Sequence, residues 1–129
     1  DPAYFLYFEE VDWAARRGDL PLQFCTSAQV YHHGGTSIGS GAFNRRATGF
    51  ANYFNYRNRM IFMRRHFPMS LPVCYFYSAL KIVKLAMLGA WDEAYGAACG
   101  LHQLPPPKSV RKRLSPEAAV WAFGKGLKS

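Results

Sequence analysis

Glu9, Glu10 and Asp12 crowd three carboxylates into four residues, directly behind the apolar run Tyr4-Phe5-Leu6-Tyr7-Phe8. Carboxylates that repel one another beside an apolar wall hold a proton more tightly. One of them is then suited to act as a general base near neutral pH. An acidic first helical turn, favoured by the helix dipole, has the same composition, and both readings stand at this point. His32 and His33 are adjacent, just before the glycine-rich run Gly34 to Gly41. Neighbours on a strand face opposite ways, so at most one of them faces any given site. A single histidine ligand to a metal needs carboxylate partners from elsewhere in the fold. Arg57 lies three residues after Phe54 and four before Ile61, within an apolar helical stripe. A guanidinium buried there calls for an anion, either an acid of the 9–12 cluster or a phosphate. His66 and His102 have no partner at a useful spacing. Cys25, Cys74 and Cys99 form no C-x-x-C pair, which argues against a disulfide framework and a structural zinc site. No P-loop, dinucleotide fingerprint or nucleophile elbow occurs.

The elements that must position these residues follow from periodicity and punctuation. Residues 9–17 are expected to form a short helix ending at Gly18, with Asp12 and Arg16 four apart on one face. Residues 20–31 alternate loosely, with Leu22 and Phe24 and then Ala28 and Val30, and suit one or two short strands. A helix is expected over about residues 43–66, a second over 73–89 and a third over 91–99. The prolines at 105–107 read as the end of the folded part, followed by a basic linker. Ser115 and Pro116 then fit the cap and first position of a last helix through Phe123.

Charge separates along the chain. The 129 residues carry a net +8, distributed as −3 over residues 1–19, +8 over 20–91 and +3 beyond. No acid occurs between Asp19 and Asp92. Half of the residues are hydrophobic and 16% aromatic, which excludes a disordered tail. The longest uncharged hydrophobic run, residues 67–80, is too short for a spanning helix, which needs about 17–25 residues.

Three ordered motifs resemble a known family: Tyr7-Phe8-Glu9-Glu10-Val11-Asp12-Trp13, Ala28-Gln29-Val30-Tyr31-His32 and Tyr56-Arg57-Asn58-Arg59. Together they resemble the C-terminal half of family 2 glycosyltransferases of the GT-A fold, near the rhamnosyltransferase-like and galactofuranosyltransferase-like members. The likeness covers residues 1–67. It implies an α/β fold for the whole enzyme, of which this chain is the C-terminal part, α-rich with two or three short strands. Residues 1–67 would form the acceptor and catalytic-base half, 68–104 a helical tail, and 105–129 a basic linker with a short terminal helix.

The resemblance also implies roles. Glu10 would be the catalytic base of an inverting sugar transfer, with Glu9, Asp12 and Trp13 at the acceptor. His32 would complete the coordination of Mn²⁺ or Mg²⁺, and Arg57 would bind phosphate or organise the site. His33, Gly34 and Gly35 would belong to a loop closing over it. Glu10 stands where the family more often has Asp, which displaces the base by one carbon. The nucleotide-binding half and its Asp-x-Asp motif do not occur in these residues. The chain also begins at Asp1 without a methionine, so a fragment, inactive alone, is expected. The implied partners are a nucleotide-sugar donor and a glycan or lipid-linked acceptor, not nucleic acid, with oligomer formation compatible with an incomplete fold. The resemblance implies action at the cytoplasmic membrane face, and the charge pattern independently suits anionic headgroups there. The alternative is a basic module without catalysis that binds a membrane surface or nucleic acid, using the arginine-rich helix and its interleaved aromatics.

Overall fold

The computed structural model describes residues 1, 3–29, 31 and 46–124. Among these residues six α-helices run in order: α1 (Glu9–Ala15), α2 (Gly49–His66), α3 (Leu71–Met87), α4 (Trp91–Leu101), α5 (Lys108–Arg111) and α6 (Pro116–Phe123). A single 3₁₀ turn, Pro68–Ser70, joins α2 to α3.

The α/β expectation is overturned, because no strand occurs among the described residues and the fold is a small all-α one. A strand is stabilised by hydrogen bonds to a neighbour, and the described part of residues 20–31 has none to pair with. It runs instead as an irregular segment, with turn hydrogen bonds from Leu20 N to Arg17 O and from Ala28 N to Cys25 O. Leu22 and Phe24, whose alternation suggested a strand, stand in solvent.

α2 is the central element. Thr48 caps it, its hydroxyl accepting from Ala51 N at 3.3 Å. On one side Tyr53 and Phe54 pack with Cys99, Val110 and Ala122. On the other, Tyr56 and Met60 pack with Ala97 and Leu101, and Leu71, Cys74, Ala79 and Ile82 close that cluster. α4 lies directly on α2. A Cβ at Gly96 would collide with the Gly49 carbonyl, and one at Gly100 with the Tyr53 carbonyl. Small residues four apart let two helix backbones approach this closely.

The prolines at 105–107 do not end the core. Val110 is fully buried, and Ala119 and Ala122 are nearly so. Residues 108–111, expected as linker, form the α5 turn that carries Val110 inward. α6 begins as the sequence indicated: the Ser115 hydroxyl accepts from Ala118 N at 3.2 Å, and Gly124 adopts the left-handed conformation at its end.

Candidate functional site

The aromatic run 4–8 lies across α2. The Phe5 and Phe54 ring centroids are 5.2 Å apart, and those of Phe8 and Phe62 are 5.6 Å apart. Two consecutive aromatic residues, Tyr7 (φ 68°) and Phe8 (φ 71°), take the left-handed conformation immediately before α1. Each costs about 1–3 kcal/mol and persists only where its surroundings hold it. Asn58 does so. It is fully buried, and its amide donates to the carbonyls of Leu6 at 2.6 Å and Tyr7 at 3.2 Å. Arg57, beside it, donates to Asn58 Oδ1 at 2.8 Å and to the carbonyls of Ala3 and Ala122 at 3.2 and 3.3 Å. The anion expected for Arg57 is therefore replaced by an amide oxygen and two backbone carbonyls, and its guanidinium lies 5.6 Å from the Phe123 ring. The Arg-Asn pair of α2 fixes the backbone that leads into the acidic helix.

α1 divides its acids between two faces. Asp12 is fully buried. One of its oxygens accepts from Arg16 Nε at 2.7 Å. The other faces Tyr4 Oη at 3.1 Å, His66 Nε2 at 2.8 Å and Arg65 Nη1 at 3.5 Å. Burial opposes ionisation of Asp12, but the hydrogen bonds from His66, Arg16 and Tyr4 outweigh it and hold the carboxyl well below the usual carboxylate range. The Tyr4 phenol is raised, by burial first and then by the Asp12 carboxylate. Arg65 also pairs with Asp1 at 2.6 Å, tying the start of the chain to the end of α2.

Glu9 and Glu10 are exposed, and so is Trp13, at 62%. Trp13 lies four residues after Glu9 and three after Glu10, so the two acids and the indole share the outward side of one helix. Of the residues singled out from sequence, these three come together in solvent, Asp12 turns inward, and Arg57 braces the mount from α2. His32, His33, Gly34 and Gly35 lie outside the described residues. Among the described residues no group of three or more His, Cys, Asp or Glu side chains is placed to hold a metal.

Sequence reasoning assigned nothing to His66 or Tyr4, yet both hold Asp12. A signal for His66 exists: Asn58, Phe62 and His66 recur every four residues on α2 and face the same segment. The other arginines of α2 also have partners inside the protein. Arg59 donates to Asn55 and covers the Tyr56 ring, and Arg64 donates to Gln103.

Removing the Asn58 amide frees two carbonyls and releases the strained pair. Asn58→Ala is expected to cost about 1–3 kcal/mol and to admit protease between residues 3 and 8. Urea denaturation and limited proteolysis measure both. A variant as stable and as resistant as the parent would remove Asn58 from this role.

Searches against protein families, curated proteins and solved structures find no match for this chain.

Proposed function

We propose that α1 is the acceptor side of an inverting glycosyl transfer, with Glu10 as general base. The observation that carries this reading is the outward grouping of Glu9, Glu10 and Trp13 on a helix whose inner face is anchored by Asp12 and whose approach is strained and braced. A mount of that kind favours accuracy of direction over stability, which suits a group that must meet a hydroxyl proton within hydrogen-bond reach. The resemblance of the three motifs adds the reaction type.

In the transfer, the Glu10 carboxylate takes the acceptor hydroxyl proton as that oxygen forms its bond to the anomeric carbon. The bond from that carbon to the nucleotide diphosphate breaks on the opposite face, so the configuration inverts. Trp13 offers a flat apolar surface to the acceptor sugar ring, and Glu9 accepts from a neighbouring hydroxyl. Asp12 does not touch the acceptor; it is a positioning residue that holds α1 through Arg16, His66 and Tyr4. The donor nucleotide falls to residues other than these, since the chain has no Asp-x-Asp motif. In this reading His32 would help to hold a divalent ion, Mn²⁺ or Mg²⁺, on that donor side, where the ion would neutralise the leaving diphosphate.

Glu10→Gln is expected to lower transfer from a nucleotide sugar to a glycan or lipid-linked acceptor by about 10²–10⁴-fold in the native protein, with nucleotide binding unchanged. Near-normal turnover of Glu10→Gln would remove it as the base. On the chain alone, saturation-transfer NMR with an alkyl glycoside should show contact that Trp13→Ala abolishes.

A further inference from the structure

α3 is apolar around most of its circumference, yet only part of it is covered. Leu71, Cys74, Ala79 and Ile82 face the core. On the opposite side Val73, Phe76, Leu80, Val83 and Met87 recur at alternating three- and four-residue steps, which keeps them on one stripe, and Met69 precedes them in the 3₁₀ turn. Every one is more than half exposed, from 52% at Leu80 to 90% at Met69. The stripe is about 25 Å long. An apolar patch this continuous marks a surface that something covers.

Charge says what covers it. Lys81 and Lys84 are the charged residues of α3, and both lie along one long edge of the stripe. The Lys81 ammonium rests 4.7 Å from the Tyr77 ring centroid. At the same edge a cleft of about 310 Å³ opens between α2 and α3, lined by Arg46, Asn52, Tyr56, Lys81, Lys84 and Leu88 among others. No acid occurs from residue 20 to residue 91. A second copy seated stripe to stripe would bring these lysines together with no carboxylate of α2 or α3 to pair them. An anionic bilayer complements both features. Acyl chains take the stripe, and the lysine stems run along it while their ammonium groups reach the headgroups.

We propose that α3 lies in the plane of an anionic lipid bilayer, with the Met69–Met87 stripe in the interface and a lipid phosphate in the Arg46–Lys81–Lys84 cleft. The attachment is peripheral, as no helix among the described residues is long and apolar enough to cross a membrane. It does not depend on sugar transfer, and the assay that tests it involves no sugar nucleotide.

The test is co-sedimentation of the full chain with phosphatidylcholine vesicles and with vesicles half phosphatidylglycerol. Binding is expected to the phosphatidylglycerol vesicles, to weaken with salt, and to resist excess inorganic phosphate. Phe76→Asp with Leu80→Asp should weaken it roughly a hundredfold, about the burial of two large apolar side chains. Both positions are exposed, so the fold survives, which circular dichroism checks. Lys81→Gln with Lys84→Gln should weaken it about fivefold for each lysine. Three outcomes overturn the proposal: no binding to phosphatidylglycerol vesicles, binding untouched by the Phe76/Leu80 pair, or a dimer in sedimentation velocity that the same pair dissociates.

Discussion

Gly100→Ala is expected to destabilise the protein by about 3 kcal/mol, lowering the melting temperature by roughly 10 °C. The sign is opposite to what an isolated helix would show. Replacing an interior helical glycine by alanine ordinarily gains about 1 kcal/mol, because alanine loses less backbone entropy on folding. Here the new methyl group would meet the Tyr53 carbonyl, and the Arg57 backbone nitrogen lies 3.1 Å away. Neither is the end of a flexible side chain, so α2 and α4 must separate. That separation opens both core clusters, since Tyr53 and Phe54 belong to one and Tyr56 and Met60 to the other. Gly96→Ala meets the Gly49 backbone in the same way, and the double variant should not fold stably, given a typical total of about 5–15 kcal/mol. Thermal and urea denaturation followed by circular dichroism decides it. A Gly100→Ala protein more stable than the parent would mean that α4 does not sit directly on α2.

Asp12→Ala is the second large effect, about 3 kcal/mol. Removing one partner of a buried charge network leaves the others without their anion, at roughly 3–5 kcal/mol. The lower end applies because Arg16 and Arg65 are 47% and 39% exposed, so water takes up part of their loss. The same group shapes acid stability. The Asp12 carboxyl is depressed in the folded protein, so the unfolded chain binds a proton first, near the ordinary value of about 4. Its contribution is therefore complete above about pH 4 and declines as pH falls below that toward the folded-state value. Melting temperatures of parent and Asp12→Asn, taken from pH 6 down to pH 2, should converge as the acid end is approached. A constant gap across that range would show that Asp12 is not the group that titrates.

The local devices of this fold were legible because they depend on near neighbours. Ser115 and Pro116 announce α6, and Asp12 and Arg16 pair at the spacing read from the helix. The strands assigned to residues 20–31 were not sound, because alternation describes a strand only if another strand bonds to it. The α5 turn was hidden by its charge: Lys108, Arg111 and Lys112 read as a solvated linker, while Val110 and Leu114, four apart, carry the burial. Arg57 was expected to face an anion, but its acceptors are the neighbouring Asn58 side-chain oxygen and the carbonyls of Ala3 and Ala122, the latter two more than fifty residues away in each direction. A carbonyl carries no residue-specific signature, so no spacing could reveal it.

By itself the sequence determined the main helices, the separation of an acidic start from a long acid-free stretch, and the presence of chemically able residues at positions 9–13. Those follow from dihedral preference, capping and ionisation, which act over a few residues. Tertiary structure alone decided which of the three acids is buried. On a helix of seven residues, Glu9, Glu10 and Asp12 are presented in different directions, and the sequence of α1 does not favour one of them. The docking of α1 onto the end of α2 does. It sets Asp12 against Tyr4, Arg65 and His66 and leaves Glu9, Glu10 and Trp13 in solvent, because only there can the inward carboxylate recover the hydration it loses.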